Sequence, residues 1–164
     1  MDVGLTSAQI RVLRVLVEKL QSAGFRFEIS GGLAAKIYGS PRPLYDIDLE
    51  IAKGDSDAVR ALFQTFIVHD WYHCTDGRID CQLLTLEIDG VPVDISQVEG
   101  TAMTTPNGQR IAFEPDLSKA VPVTVHDLSV PVEAKDELLA YKRIIHRPED
   151  LADKDSHFPA DELI

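Results

Sequence analysis

The sequence predicts an α/β (α+β) fold, a mixed, mostly antiparallel sheet with flanking helices. Three observations predict it. Segments near both ends carry the 3.6-residue apolar period of amphipathic helices. Between them lie segments in which apolar and polar residues alternate with a period of two, as on half-buried strands. Two hairpin-type dipeptides, Asp76-Gly77 and Asp89-Gly90, punctuate that middle region. At 164 residues the chain is expected to form one domain over 1–164, with a short helical part from about 134.

Each element follows from local pattern. Thr6-Ser7 followed by Ile10, Leu13, Leu16, Val17 and Leu20 reads as a capped amphipathic helix ending near Ala23-Gly24. Phe25 to Ile29 is a short apolar strand that runs into Ser30-Gly31-Gly32, and an Ala-rich helical turn spans Leu33 to Tyr38. The loop Gly39-Ser40-Pro41-Arg42-Pro43 leads to a second strand, Tyr45 to Ile51. There Ile47, Leu49 and Ile51 point one way and Asp46, Asp48 and Glu50 the other. Asp55 or Ser56 caps a third helix through Ala58, Leu62, Phe63 and Phe66. Cys81 to Ile88 alternates in part, and Val91 to Ser96 pairs back across the Asp89-Gly90 turn, with Pro92 marking an edge or a strand start. Gly100 to Ser118 is polar and loop-rich, with a short strand at Gln109 to Phe113. Two short extended segments follow, Val121 to Val125 and Leu128 to Val132. Ala134 to His146 is helical, with Leu138, Leu139, Tyr141 and Ile145 forming most of a core stripe. Pro148 breaks that helix or opens another at its first position, where Glu149-Asp150 suit the first turn.

Chemistry concentrates between Ile29 and Ile51. Asp46 and Asp48 share one strand face, roughly 7 Å apart at Cα from a rise of about 3.3 Å per residue. Both can turn an oxygen toward one hard cation. Gly31-Gly32 at a strand-to-helix turn lets backbone N–H groups approach a phosphate, whose charge a helix N-terminus favours. An Asp-x-Asp strand is also a common solvated face and Gly-Gly a common turn, so their order and spacing carry the reading of a metal-bound nucleotide site.

That order, apolar-Gly-Gly, a short helix, then Asp-apolar-Asp-apolar, resembles the signature of the nucleotidyltransferase superfamily, the polymerase-beta-like fold. The longer stretch GGLAAKIYGSPRPLYDID resembles its small bacterial branch, which includes lincosamide and aminoglycoside nucleotidyltransferases and the toxins of abortive-infection and toxin–antitoxin systems. Leu44 stands where such proteins often have Thr. A second block, LLAYKRIIHRPEDLADKD, resembles another of their motifs at Leu139, Lys142, Arg147, Asp150 and Asp153.

The resemblance implies a nucleotidyltransferase fold and Mg²⁺-dependent (or Mn²⁺-dependent) transfer of a nucleoside monophosphate from an NTP to an acceptor hydroxyl. It also implies a third carboxylate, and Val93-Asp94-Ile95 matches its apolar-Asp-apolar setting. Asp80 and Asp89 are the alternatives, the first preceding the alternation and the second better used in its turn. On this reading Asp46, Asp48 and Asp94 hold the metal, and Asp94 is base or acceptor guide. Ser30, Gly31 and Gly32 hold phosphates, and Arg42 and Lys142 contact them as cations. Lys142 and Arg147 each have a plainer reading, as a solvated helix Lys or partner of Asp150 and as a helix-end cation.

A formal net charge of −11 disfavours a broad grip on a nucleic-acid backbone. It favours a small-molecule acceptor, a cationic one drawn to an acidic cleft, although surface acidity equally serves solubility. The alternatives are a toxin-type enzyme acting on tRNA or protein, and a non-catalytic nucleotide- or partner-binding module. No apolar run approaches the roughly 18 residues of a membrane span, and the N-terminus lacks a signal-peptide layout. A cytoplasmic location with no membrane partner is expected, as is a homodimer that completes the acceptor pocket. Cys74 and Cys81 lack zinc spacing and read as buried or free thiols. His69 and His73 have i, i+4 spacing but no intervening Glu, so no zinc site is expected there.

Overall fold

The computed structural model describes residues 1–75 and 78–145. Thr6 opens α1 (Ser7–Ser22) with a capping box, its hydroxyl accepting from the Gln9 N–H at 3.1 Å while the Gln9 side chain accepts from the Thr6 N–H at 2.9 Å. Val12, Leu13, Leu16, Val17 and Leu20 form its buried stripe. Gly24, at φ +79°, turns the chain as its position in the sequence predicts, and the Phe25 N–H closes the turn on the Leu20 carbonyl at 3.0 Å.

The remaining elements follow in order: β1 (Phe27–Ser30), α2 (Gly31–Ile37), β2 (Ile47–Ile51), α3 (Ser56–Leu62), β3 (Ile67–Cys74), β4 (Ile79–Ile88), β5 (Val91–Gln97), β6 (Ala102–Thr104), β7 (Arg110–Ala112), β8 (Val121–Val125), β9 (Leu128–Val132) and α4 (Lys135–Ile145). The central order is β4-β5-β2-β1-β9-β8, with β3 on the outer side of β4 and the β6-β7 pair joined to the start of β4. Only β1–β9 and β2–β5 run parallel among the described pairings, so the sheet is mixed and mostly antiparallel, as expected.

Several boundaries differ from the sequence reading. The second strand starts at Ile47, not Tyr45, so Asp46 stands just before it. The first begins at Phe27 and runs on through Ser30. The third helix stops at Leu62 because a 3₁₀ turn, Gln64–Phe66, tightens the chain into β3 while Phe63 is driven into the core. Ala102–Thr104, inside the supposed loop region, is a strand because its residues pair with both β4 and β7. Pro92 is not on an edge, since β5 lies between β4 and β2; it sits at the strand start, opposite Glu87, one residue before pairing with β2 begins at Val93. The Asp89-Gly90 hairpin forms as predicted, with φ +50° and +76° at the two turn residues. The Asp76-Gly77 turn, Arg147, the Pro148 break and Glu149, Asp150 and Asp153 lie outside the described residues.

One sheet face is apolar. Ile47, Leu49, Ile51, Val93, Ile95, Leu84 and Leu86 are all buried and belong to the same core cluster as the stripes of α1 and α2. The opposite face carries the alternate residues Asp48, Glu50, Asp94 and Ser96, and there Leu138, Tyr141 and Lys142 of α4 line a cavity with them. The flanking helices are thus divided: α1 and α2 cover the apolar face, while α4 borders the polar one. Among the described residues no helix is long and apolar enough to cross a membrane.

Truncation of a fully buried stripe residue tests this core. Leu16→Ala is expected to cost about 2–5 kcal/mol, read as a lower urea midpoint at unchanged slope.

Candidate active site

Two rows of polar residues cross the strands. In the first, Thr85 of β4 opposes Asp94 of β5, Asp94 opposes Asp48 of β2, and Asp48 opposes Ser30 of β1. In the second, Ser96 opposes Glu50, and Glu50 opposes Glu28. The rows lie two residues apart, which puts both on the same face. Asp46, two residues before Asp48, stands just before β2. One carboxylate oxygen from each of Asp46, Asp48 and Asp94 lies within 4.8 Å of the others. The Thr85 hydroxyl donates to Asp94 Oδ1 at 3.0 Å and orients that carboxylate.

Gly31 is required twice over. Its φ is +56°, and a Cβ there would overlap the Asp48 carboxylate, 2.9 Å from Cγ. Gly32 is less constrained, since an added Cβ would meet only Leu44 Cδ1 at 3.4 Å, an ordinary contact. The loop carrying Arg42 is tied at both ends. Lys36 Nζ donates to the Arg42 carbonyl at 2.9 Å, and Gln9 Nε2 donates to the Leu44 carbonyl at 2.8 Å.

All eight residues that the sequence singled out, Ser30, Gly31, Gly32, Arg42, Asp46, Asp48, Asp94 and Lys142, line one cavity of about 370 Å³. Lys142 is only 2% exposed, so it is not a solvated helix lysine. Asp80 is elsewhere engaged, with His73 Nε2 at 2.5 Å and Arg110 at 3.2 Å; His73 first and Arg110 second hold its carboxyl below the usual range. Asp89 pairs with Arg11 at 2.8 Å. His69 and His73 lie on a strand, and His69 packs its ring on Tyr72. Cys74 and Cys81 are cross-strand neighbours, both free thiols at the cavity wall, and burial pushes the Cys81 thiol up to about 12.

Sequence reasoning missed the acids behind this site. Glu28 lies in what the sequence reads as an apolar strand, and the sequence reading does not single out Glu133. Both are buried, and Glu50 and Glu133 line the cavity. Burial first, and then the neighbouring Glu50 carboxyl, pushes the Glu28 carboxyl up to about 9. Glu50 is pushed up to about 8, by burial first and Glu133 second. Asp94 is raised by burial, against the Thr85 hydrogen bond that lowers it, and Asp46 is raised by burial too. A signal existed for Glu28, an acidic residue set between Phe27 and Ile29, but nothing in the sequence shows which elements cover it.

The three aspartates fit a divalent cation. They are oxygen donors that converge, Asp46 and Asp94 are held above their ordinary pKa by burial, which a bound cation would offset, and a side chain at Gly31 would displace Asp48.

The family model described as Aminoglycoside-2''-adenylyltransferase matches residues 12–160. Among solved structures, the chain is similar to a Thermotoga maritima protein assigned as a nucleotidyltransferase, at 24% identity over 81% of this chain and 82% of that one, with a TM-score of 0.67. It is also similar to the solution structure of the antibiotic-resistance factor ANT(2'')-Ia, at 11% identity over 97% and 89%, with a TM-score of 0.63. A crystal structure of ANT(2'')-Ia in complex with adenylyl-2''-tobramycin matches at 12% identity over 96% and 93%, with a TM-score of 0.61. At these identities the structures establish the fold, which is the nucleotidyltransferase fold that the motifs implied. Comparison with curated protein sequences gives no significant match.

Two outcomes follow from the geometry. Gly31→Ala must adopt a left-handed backbone and displace Asp48, so stability falls by about 1–2 kcal/mol or more, and Mn²⁺ affinity falls with it in a titration. In metal-free buffer, folded Glu28 keeps its proton up to about pH 9, while the unfolded group loses it near 4.5. Folding therefore takes up a proton in that window, and stability decreases as pH rises through it. Thermal melts of Glu28→Gln should show a flatter pH profile and a higher Tm than wild type at pH 8.

Proposed function

The chain belongs to the aminoglycoside-2''-adenylyltransferase family, and from that premise we propose that it transfers a nucleoside monophosphate, AMP before others, from a triphosphate to a hydroxyl of a cationic small molecule. The observation that carries the reading is the convergence of Asp46, Asp48 and Asp94 within 4.8 Å, beside a glycine turn with no room for a side chain.

Asp46, Asp48 and Asp94 would hold Mg²⁺, or Mn²⁺ in its place. The ion, when bound, supplies a Lewis-acid centre that draws charge from the triphosphate and lowers the pKa of the acceptor hydroxyl. The chain's own residues do the rest. Ser30, Gly31 and Gly32, at the start of α2, present backbone N–H groups to the β- and γ-phosphates. Arg42 and Lys142 neutralise phosphate charge as pyrophosphate leaves. Asp94, oriented by Thr85, takes the proton of the acceptor hydroxyl. Tyr45, 79% exposed at the cavity rim, offers a ring face for stacking a base or an acceptor ring.

Two observations favour a cationic acceptor. The cavity wall adds Glu50 to the three aspartates, and the whole chain carries a net charge of −11. A cavity of about 370 Å³ suits a small molecule better than a folded macromolecule.

Thermal unfolding with Mg²⁺ and each of ATP, GTP, CTP and UTP tests the donor site. A Tm rise of several degrees is expected with ATP, and Asp48→Asn should abolish it. An aminoglycoside panel read by mass spectrometry should then show gain of one adenylyl group. Asp94→Asn should lower turnover by about 10² or more while keeping the ATP-dependent shift. No shift with any triphosphate would overturn the donor site and leave a partner-binding module. Adenylylation of tRNA or protein, with no antibiotic modified, would move the chain to the toxin-type branch.

A further inference from the structure

Behind the aspartate cluster lies a second group of acids. One carboxylate oxygen from each of Glu28, Glu133 and Glu137 lies within 4.8 Å of the others. Glu28 is 0% exposed, yet among the described residues neither of its oxygens has a hydrogen-bond partner. Glu137 is oriented by the Asp116 N–H, which donates to its Oε1 at 3.0 Å, and its Oε2 is buried and unpartnered. The backbone at Glu133 is fixed from both sides: its N–H donates to the Ile29 carbonyl at 2.9 Å, and Tyr38 Oη donates to its carbonyl at 2.7 Å. These contacts hold the group in place and leave both Glu28 oxygens and Glu137 Oε2 without a hydrogen bond among the described residues.

Buried carboxylates in such a group need compensation. In the metal-free protein the proton on Glu28 and its contact with the Glu50 carboxyl meet part of that cost, while both Glu28 oxygens still lack a backbone, amide or hydroxyl donor among the described residues. Lys142 offsets part of the charge on Glu133, whose carboxyl burial raises well above its ordinary range. We propose that Glu28, Glu133 and Glu137 form a second divalent-cation site, distinct from the one at Asp46, Asp48 and Asp94. All its donors are carboxylate oxygens, which selects a hard ion of the Ca²⁺, Mn²⁺ or Mg²⁺ class over zinc. Glu133 and Glu50 line the cavity, so an ion enters from the same side as the substrates. The ion bridges β1, the segment after β9 and α4, and so ties the last helix to the sheet.

The test separates this site from the first. In an Asp46→Asn/Asp94→Asn protein at pH 8, Ca²⁺ and Mn²⁺ are expected to raise Tm by several degrees. Adding Glu137→Gln, which keeps an acceptor for the Asp116 N–H, should remove that rise. In wild type, Mn²⁺ binding followed by electron paramagnetic resonance should show two classes of site, and Glu137→Gln should keep only one. Glu28→Gln should behave alike; should it fail to fold, Glu137→Gln alone decides. One class of Mn²⁺ site in wild type, with no Tm rise in the doubly substituted protein, would overturn the proposal. So would a Tm rise with an alkylammonium salt but none with either metal, which would make the cluster an amine subsite. The readout is ion binding, so its failure leaves the ATP-dependent shift untouched, and failure of that shift leaves this site untouched.

Discussion

The parallel pairing of β2 with β5 governs this structure, because it sets Asp48 directly opposite Asp94. Three carboxylates whose oxygens lie within 4.8 Å of one another repel when ionised, and a force that holds their strands together must oppose this. That force comes from the other side of the same strands. Ile47, Leu49 and Ile51 alternate with the acids of β2, and Val93 and Ile95 flank Asp94 on β5, all buried in one core. Each buried aliphatic side chain of this kind contributes about 1.5–3 kcal/mol by leaving water. The register cannot slip by one residue without turning these apolar groups out and the acids in.

The polar face is built with the same economy. Thr85, Asp94, Asp48 and Ser30 stand in one row across four strands, so a hydroxyl orients one acid and a strand end delivers the glycine turn to another. The positive φ of Gly31 bends the backbone into the space that a side chain would otherwise share with Asp48. Lys36 and Gln9 tether the loop between α2 and β2 from below, which steadies Arg42 and Asp46 at the rim. The acid density of the cavity is higher than the reaction centre alone demands, since Glu50 and Glu133 also line it, with Glu28 buried beside them. Against that density the buried Lys142 is a charge placed in the wall itself, where low dielectric strengthens its reach.

Much of this was legible in the sequence. Strict alternation from Ile47 to Ile51 and the Gly31-Gly32 turn pointed to Asp46 and Asp48, the family resemblance built on them pointed to Asp94, and the Asp89-Gly90 turn identified the hairpin that brings β5 back. The errors fell where non-local packing overrode local pattern. Residues 102–104 look like loop until β4 and β7 pair with them. Phe63 ends a helix that its apolar period would extend, because its side chain is claimed by the core. Glu28 shows in the sequence only as an acid set between Phe27 and Ile29, and its burial depends on β2 on one side and on Glu133 and α4 on the other.

The sequence by itself determined which side chains share a face and where the chain turns, because strand alternation, glycine conformations and caps depend only on covalent geometry within a few residues. The tertiary structure alone decided that β5 lies beside β2 in parallel rather than at an edge, that Asp80 is drawn off by His73 and Arg110, and that Lys142 and a second set of glutamates are buried beside the site. Those outcomes depend on strands and helices far apart in the chain competing for one core, and no local pattern of residues encodes which neighbour wins.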